Sequence, residues 1–249
     1  MICLPFYRAY GVFFEGWVKA QSGASADGLE DMRRGVKLLR EQNLLLWDGL
    51  LKIAMAEADA QEGNPEAALA ILDEALATAD RTGYRAFEAE LHRARAEMLL
   101  KRDPSNPVPA EEAFQTAMAI ATQQSARSFG LRAALSLAKL YQSTGRPIEA
   151  YDVLAPALEG FSPTPEMPEI VEAQALLAEL DETDEVKNVV PSRQRRLKLQ
   201  TRYGQAVMWS KGFAADETRA AFARARELAA GAEKAASDST PFTDNGSTA

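Results

Sequence analysis

An all-α fold, a solenoid of antiparallel helix pairs with a period of about forty residues and a right-handed superhelical course, is the class this sequence predicts. Three observations lead there. Alternating β-branched runs are missing, while Ala, Leu, Glu, Arg and Lys recur at helical spacing. Turn signals at Ser22-Gly23, Gly63-Asn64-Pro65, Thr82-Gly83, Asp103-Pro104 to Pro109, Gly145-Arg146-Pro147 and Ser162-Pro163 cut the chain into segments of roughly 15 to 20 residues, the length of paired helices. Finally, a small residue followed after four positions by a large apolar one, and after three more by another small one, recurs along the chain.

The triplets mark the second helix of each pair. They are Gly28, Met32, Gly35; Ala68, Leu72, Ala75; Ala110, Phe114, Ala117; and Ala150, Leu154, Ala157, with starts 40, 42 and 40 residues apart. A fifth, at Thr218, Phe222, Ala225, follows out of step. Twelve residues before each start stands another small residue, Gly16, Ala56, Ala96, Ala138 and Ala206, in the middle of the preceding helix. Small side chains let two backbones approach where helices cross, and the large residue fills the groove alongside. Asn64-Pro65 and Arg146-Pro147 read as helix openings, because a proline at the first position gives up an amide that has no helical partner.

Two stretches depart from the period. Residues 166–180 form an amphipathic helix with Ile170, Ala173, Leu176, Leu177 and Leu180 on one side, suited to covering the last apolar face of four stacked pairs. Acidic residues 181–185 and then Pro191 read as a linker, and the polar chain from Ala232 onward as disordered. The expected organisation is four helix pairs plus a capping helix over 1–181, a linker over 182–192, a further pair over 193–231 and a tail over 232–249.

The spacing of small, large and small residues resembles the tetratricopeptide repeat, most clearly at Leu137-Ala138, Tyr141, Ala150, Leu154, Ala157 and Pro163. An early tryptophan in each repeat is missing and the period is near 40 instead of 34, so the array is a variant. Longer phrases, Ala89-Glu90-Leu91-His92-Arg93, Leu131 to Ala138 and Leu154-Ala155-Pro156, together with residues 199–228, resemble the C-terminal repeats of bacterial signalling proteins. In those proteins a class III adenylate or guanylate cyclase or a DNA-binding domain, then an ATPase module, precedes the repeats. The resemblance implies a binding or regulatory role in signal transduction, without the catalytic domains. It leaves open a protein-binding scaffold or a ligand-sensing module of a transcriptional regulator or cyclase-linked ATPase.

Composition narrows the function further. The formal net charge of -8 argues against phosphate backbones and anionic membranes as partners. Cys3 is the only cysteine and His92 the only histidine, which argues against disulfides and metal sites. No phosphate-binding Gly-x-x-x-x-Gly-Lys-[Ser/Thr] loop occurs, so neither an enzyme nor a cofactor is expected. Pro5, Arg8, Glu15 and Lys19 interrupt the aromatic opening, which also lacks a basic start, and a cytoplasmic location follows. The basic cluster Lys187, Arg193, Arg195, Arg196, Lys198 and Arg202 lacks interleaved aromatics and reads as a solvated helix rather than a nucleic-acid surface.

In such a stack the first helix of each pair lines the concave wall. Counting from the crossing residues, the inward positions are Tyr10, Phe13 and Trp17; Leu50, Ile53, Glu57 and Gln61; Glu90, Arg93, Glu97 and Lys101; and Arg132, Leu135, Lys139 and Gln142. This groove, aromatic at one end and mixed in charge at the other, suits a peptide or a partner helix. The alternative for the aromatics is packing against the next repeat, and for the cations ordinary solvation. Phe6, Tyr7, Tyr10, Phe13, Phe14 and Trp17 cover more of the first helix than one neighbour can bury, so homodimerisation or docking through it is also expected.

Overall fold

The computed structural model describes residues 5–44, 46–161, 167–189, 200, 201, 205, 208 and 216–237. Among them there is no strand. The helices are α1 (Pro5–Gln21), α2 (Ser25–Glu41), α3 (Asp48–Gln61), α4 (Pro65–Thr82), α5 (Glu88–Arg102), α6 (Val108–Gln123), α7 (Arg127–Ser143), α8 (Pro147–Leu158) and α9 (Pro168–Asp181). They continue with α10 (184–189) and α11 (Asp216–Ser237). The chain divides into two compact units, Met1–Ser136 and Leu137–Ala249, the boundary falling inside α7.

In the first unit α1 packs on α2, α3 on α4 and α5 on α6, and the pairs are joined through α2 on α3, α4 on α5 and α3 on α5. The crossings lie at the small residues. Gly28 and Gly35 are buried, and Ala56, Ala68, Ala75, Ala96, Ala110 and Ala117 are nearly or fully shut off from solvent, with Met32, Leu72 and Phe114 beside them. The first crossing is the tightest: a Cβ on Gly16 would lie 2.5 Å from the Gly28 carbonyl oxygen and 2.7 Å from the Met32 amide nitrogen. Here only glycine fits, whereas later pairs accommodate alanine.

The helix ends follow the local chemistry. Proline opens α4, α8 and α9 at the first position, and Gly83 ends α4 in the left-handed conformation at φ 75°. Two breaks carry no glycine: Asn43 (φ 56°) and Ser125 (φ 54°) turn the chain after α2 and α6. Neither break was signalled by the glycine and proline pattern, because a polar side chain adopts the left-handed region here at some cost.

In the second unit α9 packs on α8 with Ile170, Ala173, Leu176 and Leu180 buried and Leu177 half-buried. Ala138, Ala150 and Leu154 are fully buried, and Ala157 half-buried. The Arg146 guanidinium sits 4.1 Å from the centre of the buried Tyr141 ring. Residues 184–189, in the stretch read as a linker, are helical, and Val186 is buried. Helix α11 packs on α8, buries Thr218, Ala221 and Ala225 with Phe222 half-buried, and runs through Ser237, into the stretch read as a tail. The crossing mate Ala206, Cys3, and Arg193, Arg195, Arg196, Lys198 and Arg202 of the basic cluster lie outside the described residues.

Candidate functional site

The first helices of the first unit carry charge where a packed stack would be expected to carry apolar groups. On α5, Glu90 and Arg93 are buried, 2% and 5% exposed. Arg93 donates to Glu90 (3.0 Å) and to Glu97 one turn later (2.5 Å). From α7, Arg132 reaches Glu90 at 3.3 Å and the Ser136 hydroxyl donates to Glu97 at 3.1 Å. One oxygen of Glu90, Oε1, is shut off from solvent without a hydrogen-bond partner. From α3, the half-buried Glu57 faces the same charges. Burial raises its pKa above the usual glutamate value, an effect that Arg93 opposes and Glu97 reinforces. Glu57, Glu90, Arg93, Glu97 and Arg132, anticipated on one wall, thus meet across α3, α5 and α7.

Other anticipated positions are placed differently. Phe13, Ile53 and Leu135 are core residues, no more than 5% exposed, and meet no partner while packed. Phe13 lies against Gly35, where the missing side chain lets α1 settle onto α2. Leu50, Gln61 and Lys101 are exposed. On α1 the exposed apolar side chains are Tyr7, Phe14, Trp17 and Val18, while Tyr10 is half-buried and stacks with Phe14 at 6.3 Å. The face open to a partner is therefore centred on Tyr7 and Phe14, about a quarter turn from Phe13. In the second unit, Lys139 pairs with Glu172 at 2.7 Å and Gln142 donates to Glu179 at 3.4 Å.

Two arrangements went unread in the sequence. Trp47 and Phe87, the cap residues of α3 and α5, lie 5.5 Å apart, and Phe87 lies 6.3 Å from Phe129 in the first turn of α7. These rings stand 40 and 42 residues apart, the interval of the small residues, and that interval could have found them. The second arrangement is a cleft of about 490 Å³ between α2, α3 and α4, lined by Arg33, Val36, Lys37, Arg40, Glu41, Lys52, Met55 and Glu74. Among the described residues no cluster of His, Cys, Asp and Glu could hold a metal ion, and no helix is long and apolar enough to cross a membrane.

No family model matches the chain. It is 28% identical over 135 residues to an uncharacterized protein of Rhizobium meliloti (strain 1021), a match covering 54% of this chain and 13% of that protein. The chain thus spans about an eighth of that relative's length. Among solved structures it is similar to a Podospora anserina protein described as a kinesin light chain with nearly identical TPR-like repeats, at a TM-score of 0.53 and 16% identity over 94% of this chain and 100% of that one. Paired helices crossing at small residues, and this likeness, make the fold a TPR-like repeat array.

Proposed function

We propose that the chain is a non-catalytic binding module whose wall on α3, α5 and α7 holds a peptide segment of a partner protein. The observation that carries this reading is the charge network of Glu57, Glu90, Arg93, Glu97 and Arg132 on successive first helices. Buried ion pairs return less stability than apolar packing of similar volume, so packing alone gives no reason for them. A wall that presents polar groups does: the buried Glu90 and Arg93 hold in place the partly exposed Glu97 and Arg132, which with Glu57 are the groups a partner would meet. TPR-like repeats generally mediate protein–protein interaction, which supports the same reading. Leu50 and Lys101, both exposed, would supply an apolar anchor and a charged contact beside the network.

The match to a small part of a much longer Rhizobium meliloti protein supports a place inside a larger bacterial protein, and the resemblance of residues 89–93, 131–138 and 154–156 to the repeats of bacterial signalling proteins supports a role in signalling. Ligand sensing within a transcriptional regulator or a cyclase-linked ATPase is a variant of that role. The exposed Tyr7, Phe14 and Val18 of α1 support self-association through that helix.

The test is selection of a displayed random-peptide library on the whole chain, followed by affinity measurement against the L50S/K101E variant. Enriched peptides sharing a pattern should bind the parent and lose at least about tenfold on the variant, the loss expected for one good contact. No enrichment, or equal binding to both proteins, overturns the wall as the site. Sedimentation of the same preparation at tens of micromolar reads out self-association, which a monomer mass of 27.1 kDa would exclude.

A further inference from the structure

We propose that the cleft between α2, α3 and α4 is a binding site for a carboxylate carried on an apolar stem, and that Glu74 occupies it as an internal place-holder. The proposal is independent of the peptide wall, since it uses none of the wall's residues.

Lys52 of α3 is 3% exposed, and its ammonium group is shut off from solvent. Its partner is the Glu74 carboxylate of α4, 2.7 Å away, and that side chain is itself more than half exposed. The same carboxylate accepts from Arg40 of α2 at 3.1 Å. One rotation of the Glu74 side chain would therefore open a guanidinium and an ammonium to whatever enters. Arg40 also keeps its Asp48 contact at 3.1 Å, which holds the guanidinium in place when Glu74 leaves.

The lining cations are Arg33, Lys37, Arg40 and Lys52, against Glu41 and Glu74, and Asp48 adds a further negative charge beside Arg40 and Lys52. Asp59 holds Arg33 at 3.2 Å, but Lys37 has no ion-pair partner among the described residues. Val36 and Met55 supply an apolar wall, and the cleft's volume falls within the range of small-molecule sites, roughly 300–1,000 Å³. Burial also costs something: it lowers the Lys52 pKa, with the nearby Arg40 adding to the effect and Glu74 opposing it. Methionine at this position would fill the same space without that cost. A second anion on the ammonium is what a lysine offers and a methionine does not. The incoming group resembles the one it displaces, a planar carboxylate bridging Arg40 and Lys52.

The test uses the whole chain at pH 6, titrated with hexanoate and followed by the methyl resonance of Met55, with acetate and hexanol as controls. A saturable shift with a dissociation constant of about 1 mM or weaker is expected for so small a ligand. Glu74→Gln should tighten binding roughly tenfold by removing the competitor, and Lys52→Met should abolish it. If Lys52→Met fails to fold, Arg40→Gln on the rim carries the same test. A short peptide with one glutamate between leucines separates the two sources of carboxylate: tighter binding than hexanoate assigns the group to a partner protein, weaker binding to a small metabolite. Equal shifts with hexanol would show an apolar crevice, and equal affinity for acetate an adventitious ion only. Either result, or unchanged affinity in Glu74→Gln, overturns the proposal.

Discussion

At the scale of the residue, the same substitution on one helix should act in opposite directions. Gly16 and Gly11 both lie within α1. A Cβ at Gly16 meets backbone atoms of α2 at 2.5 to 2.7 Å, whereas a Cβ at Gly11 has no atom within 4 Å. Gly16→Ala should destabilise by about 1–3 kcal/mol, because backbone cannot move aside as a side-chain tip can. Gly11→Ala should stabilise by roughly 0.5–1 kcal/mol through helix propensity alone. Urea unfolding of both variants checks this, and equal signs would mean that α1 does not cross α2 at Gly16. The sequence carried half of this distinction: the interval to Gly28 marks Gly16 as a crossing residue, while nothing in the spacing says that Gly11 is open.

At the scale of the element, α5 is held by charge as well as by apolar packing. Its buried Arg93 joins Glu90 and Glu97, and Glu90 also meets Arg132 of α7. Arg93→Met leaves Glu90 with less compensation and should cost about 3–5 kcal/mol, toward the lower end because Arg132 remains. Arg93→Met combined with Glu90→Met should recover much of the loss, since the stranded carboxylate goes with its partner. Thermal unfolding of the two single variants and the double variant provides the measurement. An additive double variant would show that the pair is not coupled. The residues of this network were legible from helical counting along the first helices, but their burial was not. Counting places a side chain on a face, and only the neighbouring helix decides how far that face is closed. For the same reason Phe13, Ile53 and Leu135 turned out to be packed.

At the scale of the whole molecule, the repeat period was legible because crossing helices tolerate few residue types, so Gly and Ala recur wherever the packing does. The turns at Asn43 and Ser125 were not, since neither carries the glycine or proline that marks the other breaks. The cleft was hidden for another reason. It draws Arg40, Lys52 and Glu74 from separate helices, and no linear motif brings such residues together. Its lining residues on α2, α3 and α4 are none of those anticipated for the wall.

The row of rings running from Trp47 through Phe87 to Phe129 has a practical corollary. Each ring bridges one repeat to the next, so the row is a seam, and an indole at one end of it senses whether the seam is closed. With Trp17 and Trp209 replaced by phenylalanine, the emission maximum of Trp47 should move to longer wavelength as the repeats separate. Should that shift precede the loss of far-ultraviolet helical signal on warming, the joints between repeats open before the helices themselves melt. Coincident changes would mean that the array comes apart as one body.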